Sequence, residues 1–270
     1  MEVDRRVRGA EQQTGEIMDA RTWAVREYWD RHVDDWKIAR HTPGTREFFE
    51  EIEAYRFEKL DYLENVVDFA GFPGKRVLEV GCGVANDLSR FARGDALVTG
   101  IDIAPRAVEL ARRNFSQRGL QGEFHLMNGE AMTFPDDTFD VAYCHTVLHF
   151  TLSPETMICE IHRVLKPGGL AILMMVNRHS WMNLLRIVMR VEVDHLDSPV
   201  YHRVTRDEFE ALLTRFSNVR MVPERFPVPT KVHGGLKAVL FNRIFVGTFN
   251  ALPQSWTRPT GHHLMAFCRK

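Results

Sequence analysis

The feature that most constrains the fold is a strand-like apolar run that ends in a glycine-containing loop. Residues 77–80 form this run, Gly81-Cys82-Gly83 follows it, and a helical pattern then begins near Asp87. Strand-like and helical segments alternate over most of the rest of the chain, which is typical of a largely parallel sheet covered on both faces. We therefore predict an α/β, doubly wound sheet.

The periodicity of apolar residues predicts seven strands, at 76–80, 97–101, 123–127, 139–144, 170–176, 219–222 and 264–268. It predicts helices at 21–40, 45–70, 87–92, 105–118, 154–165, 206–216 and 236–249. Residues 1–20 bury little apolar surface, so we expect them to be disordered. We interpret 21–74 as an N-terminal helical cap and 75–270 as the sheet domain. Residues 177–204, where the alternation lapses, form an insertion after the fifth strand.

Composition excludes several classes of protein. The 35 Lys and Arg residues balance 36 Asp and Glu, which argues against a nucleic-acid partner. The four cysteines form no CxxC pair, so neither a disulfide framework nor a zinc site is expected. The sequence has no apolar run long enough to cross a bilayer and no signal-peptide pattern at residues 1–20. We therefore expect a cytoplasmic protein.

Two elements with the right spacing indicate a nucleotide-like ligand. Glycines at 81 and 83 would let the backbone turn sharply and approach a ligand closely. About twenty residues later, Asp102 ends the next predicted strand, where a carboxylate can bind a ribose diol. A dinucleotide-binding loop has a third small residue at the position of Asn86, and Glu79 would repel a pyrophosphate. The loop therefore favours a cationic amino-acid nucleoside.

Residues 76–176 resemble the Rossmann-like core of the class I S-adenosylmethionine-dependent methyltransferases, in particular the small-molecule branch with the ubiquinone and menaquinone enzymes. The resemblance depends on residues 77–85, 100–105, 129–131, 134–141 and 162–169. It implies S-adenosylmethionine as cofactor, a seven-stranded sheet and an N-terminal helical lid.

The resemblance also implies roles for individual residues. Gly81, Cys82 and Gly83 would pass beneath the methionine part, and Glu79 would orient its amino group. Asp102 would bind the ribose. The adenine would be lined by Ile103, Glu130, Ala131 and Met132, and the transferable methyl by Cys144 and His145. Two residues depart from the family pattern: Ala85 replaces a third glycine, and Glu130 replaces a more usual Asp.

Histidines are the candidate catalytic residues. His145 and His149 follow the fourth strand, where a histidine could remove a proton from an acceptor because its pKa is near neutrality. We expect packing as the alternative role of each, and a structural role for His262 and His263. The histidine spacing indicates no metal site.

Acceptor-binding residues are expected from three other segments. Tyr28, Trp29 and Trp36 lie on one side of the first predicted helix, which either closes over the site or packs on the sheet. His195 lies in the insertion that often covers the acceptor in the resembling family. The apolar helix at 236–249 is interpreted as core packing, with a dimer contact or a peripheral membrane contact as alternatives.

These patterns predict methyl transfer to oxygen or sulfur of a small molecule, assisted by a histidine. The rival enzymatic hypothesis is C-methylation of an isoprenoid quinol or a lipid-like acceptor. A rival from another class is a regulatory protein that binds S-adenosylmethionine without turnover. The chain is expected to be a monomer or a homodimer.

Overall fold

The computed structural model describes residues 19–33, 38–189, 195–228 and 239–270. Several predictions therefore lie wholly or partly outside the described residues. They are the disorder of residues 1–18, the role of Trp36, residues 190–194 of the insertion and residues 236–238 of the apolar helix.

A seven-stranded sheet forms the centre of the molecule. Its strands follow the order β3-β2-β1-β4-β5-β7-β6. The first five strands pair in parallel, whereas β7 pairs antiparallel with both β5 and β6. The bounds are β1 Arg76–Val80, β2 Leu97–Asp102, β3 Glu123–Leu126, β4 Phe139–Cys144, β5 Leu165–Val176, β6 Ser217–Glu224 and β7 His263–Arg269. The predicted α/β fold with a doubly wound sheet is confirmed.

The strands are apolar because both faces of the sheet are covered. Val77 of β1 packs in one buried cluster, whereas its neighbour Leu78 packs in a second cluster on the opposite face. Successive side chains of a strand point to opposite faces, so an apolar run supplies both layers. The carboxyl ends of the parallel strands then meet along one edge, where the loops are free to hold a ligand.

Helices cover both faces and the carboxyl edge of the sheet. Their bounds are α1 Ala20–Arg31, α2 Arg46–Lys59, α3 Leu63–Val66, α4 Asn86–Arg93, α5 Pro105–Arg118, α6 Pro154–Val164, α7 Trp181–Met189, α8 Arg206–Leu212, α9 Val246–Ala251 and α10 Gln254–Thr257. Single-turn 3₁₀ segments occur at Leu148–Phe150 and Arg258–Thr260, and Leu240–Phe245 is a π-helix that leads into α9. No helix in the described ranges combines the length and apolarity needed to span a membrane.

Three boundaries differ from the prediction for physical reasons. The predicted helix at 45–70 is divided, because the chain turns after Lys59 to bury Leu60 and Tyr62. The first helix ends at Arg31, before the predicted 40. Strand β5 begins at Leu165 rather than 170, and the pairing with β4 shifts register around Gly168, which has a φ of +75°.

Candidate active site

The glycine loop between β1 and α4 makes an open cradle at the carboxyl edge. Gly81 and Gly83 have φ values of +70° and +53°, the left-handed region that favours glycine. The N–H groups of Gly81 and Cys82 both donate to the Ile101 carbonyl, at 2.8 and 2.9 Å, and hold the loop against β2. A Cβ at position 81 would lie 2.3 Å from a methyl of Val147. The position therefore has no room for a side chain.

Asp102 is fixed at the end of β2 beside this loop. Its Oδ2 accepts from the Gly83 N–H and its Oδ1 accepts from the Ala104 N–H, both at 2.9 Å. Each carboxylate oxygen can accept a second hydrogen bond. The side chain lines a cavity, so the carboxylate lies where a ligand hydroxyl could approach it.

One cavity of about 360 Å³ joins the cofactor end and the acceptor end of the site. The cofactor end is lined by Gly81, Gly83, Asp102, Ile103, Met127, Asn128, Gly129 and Glu130. The acceptor end is lined by Trp29, Phe150, Trp181, Leu185, Phe241, His149, Tyr201, Arg225, His262 and His263, among others. The first end combines a glycine cradle, a carboxylate and apolar walls, which suits a nucleoside with a sulfonium substituent.

The loop after β3 approaches the cavity by residues other than those predicted. Ala131 is exposed and Met132 is buried in the apolar core, and neither lines the cavity. Met127, Asn128 and Gly129 line it instead. Ala131 and Met132 were expected to contact the adenine, but the chain turns away from the cavity after residue 130 and leaves both off its wall.

Glu130 does line the cavity, and it also organises the start of α6. Its Oε1 accepts hydrogen bonds from the Thr151 hydroxyl and from the N–H groups of Leu152, at 2.8 Å, and Ser153, at 3.2 Å. These contacts hold the carboxylate in place. The substitution of Glu for the usual Asp thus lets this side chain reach the α6 terminus.

A second, polar cavity of about 20 Å³ lies behind Gly81. Glu79, Cys82 and Asn86 line it. The side-chain oxygen and nitrogen of Asn86 have no hydrogen-bond partner within the described residues, although the residue is 3% exposed. A volume of this size holds about one water molecule. Glu79 and Cys82 thus lie behind the glycine loop rather than on the wall of the main cavity.

Cys144 does not face either cavity. Its side chain is fully buried in the apolar cluster of Leu78 and Leu173, and burial raises the pKa of its thiol. The predicted contact of Cys144 with the cofactor is therefore wrong. Cys144 and His145 are consecutive residues, and their side chains point to opposite faces.

His145 is enclosed in a chain of buried polar side chains. Its Nδ1 lies 3.2 Å from Arg56 and its Nε2 lies 2.8 Å from the Tyr62 hydroxyl. Arg56 makes two 2.6 Å hydrogen bonds to Asp87, which also accepts from Tyr143 at 2.8 Å. Burial and the charge of Arg56 lower the pKa of His145 to about 3.

The arginines at the two ends of this row of buried polar side chains fix the tautomers of its histidines. On the far side of Tyr62, Nδ1 of His263 lies 2.6 Å from the hydroxyl, and Nε2 of His263 lies 3.1 Å from Arg225. Arginine can only donate, so the nitrogen that faces each arginine must accept. A neutral imidazole then carries its proton on the nitrogen facing Tyr62. Tyr62 accepts two hydrogen bonds, and His145 has no nitrogen left for an acceptor. The predicted catalytic contact of His145 is wrong.

His149 is the predicted histidine that the structure brings to the main cavity. It lies in the 3₁₀ segment after β4, is 4% exposed and lines the cavity. Its Nδ1 has no hydrogen-bond partner within the described part of the chain. Burial and the charge of Arg225 lower the pKa of His149 to about 3. The imidazole is therefore neutral at physiological pH, where it can accept a hydrogen bond and is a weak base.

The N-terminal helix and the insertion meet over the cavity. Trp29 lines the cavity, and its ring centroid lies 4.9 Å from that of His195 and 4.7 Å from that of Phe150. Tyr28 does not line the cavity; its hydroxyl donates to Asp197 at 2.7 Å and lies 3.1 Å from Nδ1 of His195. Trp29 and His195 both line the cavity, and their contact with the acceptor stays a prediction, whereas Tyr28 joins α1 to the insertion.

The sequence analysis missed the polar residues at the acceptor end. Arg225, His262 and His263 all line the cavity, and His262 contacts the Ser180 hydroxyl at 3.0 Å. Burial and the charge of Arg225 lower the pKa of both histidines well below the usual value. Two consecutive histidines, His262 and His263, could have indicated a functional site in the sequence. A structural role was expected for them because they precede the last strand. Arg225 has no local signal in the sequence.

Curated relatives of this chain include several methyltransferases. The chain is 28% identical over 201 residues to a sterol 4-C-methyltransferase of Caenorhabditis elegans, covering 73% of this chain and 54% of that protein. It is 33% identical over 132 residues to a ubiquinone biosynthesis O-methyltransferase of Azoarcus sp., covering 48% of this chain and 55% of that protein. The chain thus spans about half the length of these relatives.

Solved structures share the fold at low identity. An S-adenosylmethionine-dependent methyltransferase of Thermotoga maritima matches with a TM-score of 0.55 and 18% identity, over 83% of this chain and 98% of that chain. The [4+2]-cyclase SpnF matches with a TM-score of 0.54 and 18% identity, over 91% and 94% of the two chains. The same architecture is therefore used in proteins named for different reactions, and the fold alone does not fix the chemistry.

The family comparison agrees with the geometry of the site. Residues 78–173 match the family model described as a methyltransferase domain, and this segment contains the glycine loop, Asp102 and the loop after β3. S-adenosylmethionine is the cofactor of such domains, and the cradle and carboxylate at the carboxyl edge fit it. Residues 78–173 of this chain thus match a methyltransferase domain, and the surrounding fold is shared with an S-adenosylmethionine-dependent methyltransferase.

Proposed function

We propose that this protein transfers the methyl group of S-adenosylmethionine to an oxygen of a small aromatic hydroxyl compound, with a thiol sulfur as the related acceptor. The observation that carries the proposal is Nδ1 of His149. This nitrogen is buried and has no partner within the described residues, and its residue lines the same cavity as Asp102. A phenol is apolar around one polar group, which matches an acceptor end that combines aromatic walls with the imidazole of His149.

Each side chain has a defined part in this proposal. Bound S-adenosylmethionine supplies an electrophilic methyl group on a sulfonium. Asp102 binds the ribose hydroxyls, Trp29 and Phe150 exclude water, and Nδ1 of His149 takes the hydroxyl proton of the acceptor as its oxygen gains the methyl. Arg225 raises the electrostatic potential at this end of the cavity and so favours an acceptor oxygen with developing negative charge.

C-methylation of a lipid-like acceptor, such as an isoprenoid quinol, is the second candidate function. The acceptor end carries a continuous apolar wall of Trp181, Met182, Leu185 and Phe241. One relative is named as a sterol 4-C-methyltransferase. An extended apolar acceptor would cover this wall, whereas a simple phenol would leave part of it in contact with water.

Turnover with defined acceptors tests the proposal. The purified protein is incubated with methyl-labelled S-adenosylmethionine and separate panels of phenols, thiols and quinols, and the products are identified by mass spectrometry. We expect methylated oxygen or sulfur. His149→Gln should lower kcat by up to about 10²-fold, the low end for a general base because the pKa of His149 lies far below neutral pH, without weakening cofactor binding. His125→Gln, on the edge strand β3, is the matched control.

Three outcomes would overturn parts of the proposal. Methylation of quinol carbon alone would favour the second candidate. Cofactor binding without turnover on any panel would favour a regulatory protein that binds S-adenosylmethionine. Equal rates for His149→Gln and His125→Gln would remove the proposed base.

A further inference from the structure

Exposed large apolar side chains are concentrated near the C-terminus. Ten such side chains are exposed within the described residues, and six of them lie between positions 228 and 256. They are Val228, Val239, Leu240, Ile244, Leu252 and Trp256. Trp256 is the most exposed, at 69%. Single exposed apolar residues are common on protein surfaces, but a concentration of this kind marks a contact surface.

The opposite side of the same segment is anchored in the protein. Phe241 and Val246 are buried in a cluster with Trp181 and Leu185. The π-helix and α9 therefore have a fixed orientation, with one apolar side inward and a second one outward. We define the outer face as Leu240, Ile244, Leu252 and Trp256, all at least 41% exposed.

The Lys and Arg residues after Glu224 give this part of the sequence a positive charge, and it contains no Asp or Glu. None of the 36 Asp and Glu residues follows Glu224 in the sequence, whereas seven Lys and Arg residues do. Arg243 and Arg258 are exposed on the same segment as the outer face. Lys231 and Lys237 precede it in the sequence. A segment with exposed apolar side chains and only positive charges of its own is complementary to an anionic lipid surface, where apolar side chains enter the headgroup region and cations bind the phosphates.

A second copy of this chain fits the outer face less well. A two-fold contact would bring the arginines of one copy towards those of the other, and the segment contains no carboxylate to neutralise them. We propose that the outer face docks on an anionic lipid bilayer, with Ile244 and Trp256 entering the headgroup region and Arg243 and Arg258 binding lipid phosphates.

Docking on a bilayer would also affect the choice of methyl acceptor. Phe241 lines the acceptor end of the cavity from the inner side of the same helix. A docked molecule would therefore hold this wall of the cavity close to the lipid and admit an acceptor from the bilayer. This extension depends on the proposed methyl transfer, whereas the docking itself does not.

Vesicle binding tests the docking without any turnover. The full chain, without cofactor or acceptor, is sedimented with vesicles of phosphatidylcholine alone or of phosphatidylcholine mixed with phosphatidylglycerol. We expect binding to the mixed vesicles that weakens with added salt. The double variant Ile244→Gln/Trp256→Gln should bind at least tenfold more weakly. Arg243→Gln should bind about fivefold more weakly. Trp23→Gln changes an exposed tryptophan on α1 and should bind like the parent.

Each contrary result has a defined meaning. Equal binding of the double variant and Trp23→Gln would overturn the assignment of the outer face, as would absence of binding to mixed vesicles. A parent chain that sediments as a dimer, and a double variant that sediments as a monomer, would assign the face to self-association instead. Circular dichroism of each variant is the control for retention of the fold. Vesicle binding without turnover would leave the docking intact and reject only the proposed methyl transfer.

Discussion

Acidification from about pH 7.5 to about pH 5.5 should lower the free energy of unfolding by up to about 5 kcal/mol. Four histidines, His145, His149, His262 and His263, are at most 4% exposed, and burial lowers the pKa of each. They stay neutral in the folded protein across this range, whereas an unfolded histidine with a pKa of about 6.5 takes up a proton.

The size and sign of the effect follow from proton linkage. The unfolded state binds more protons than the folded state below about pH 7, so stability falls as the pH falls. Each buried histidine lowers the free energy of unfolding by about 1.4 kcal/mol across this window, because the proton-binding polynomial of the unfolded histidine rises about tenfold. Asp87 and Glu53 have lowered pKa values, so their contributions are lost only below about pH 4, outside the window.

Urea denaturation followed by far-ultraviolet circular dichroism at each pH measures this loss. His149→Gln should remove about 1.4 kcal/mol of the pH-dependent part, because it deletes one buried imidazole. His125→Gln, at a partly exposed position of β3, is the control for the substitution of a histidine outside the buried group. A free energy of unfolding that stays constant over the window, or an unchanged slope in His149→Gln, would refute the reasoning.

Two further predictions concern the glycine loop and the buried polar chain. Gly74 and Gly81 have nearly equal φ values, +69° and +70°, but a Cβ at Gly74 meets no atom within 4 Å. Gly74→Ala should therefore lower the free energy of unfolding only by the backbone strain of about 1–2 kcal/mol. Gly81→Ala should lower it further and should also weaken cofactor binding. Equal losses of free energy in urea denaturation would argue against the close packing at Gly81. Tyr62→Phe leaves the N–H groups of His145 and His263 without their acceptor and should lower the free energy of unfolding by about 1–3 kcal/mol for each group. A thermal melting temperature equal to that of the parent would contradict the hydrogen bonds of these side chains.

Much of the fold could be predicted because local signals mark its elements. The bounds of β1, β4 and α5 agree with the prediction. The helix α5 begins at Pro105, where the missing N–H has no cost, and ends at Gly119, which adopts the left-handed conformation with a φ of +66°. The glycine loop and Asp102 were identified for similar reasons, since their spacing along the chain reflects the β1-α4-β2 unit.

The rest of the site depends on contacts that no local pattern contains. Cys144 and His145 were both expected beside the methyl group, but alternation along a strand allows only one of two neighbours to face a given side. The apolar pattern of β4 does not show which side holds the site. Likewise, Tyr62 and His263 lie 201 residues apart, and only the folded sheet brings them together.

The chain's central feature is a cofactor cradle closed by Asp102, and calorimetric titration with S-adenosylhomocysteine tests it most directly. The parent should bind one equivalent, and Asp102→Ala should bind at least about 100-fold more weakly, because two hydrogen bonds to a carboxylate are lost at about 1.5–3 kcal/mol each. Asp95→Ala, in the turn before β2, should bind like the parent. Absence of binding to the parent, or equal binding by Asp102→Ala, would contradict the assignment of this site.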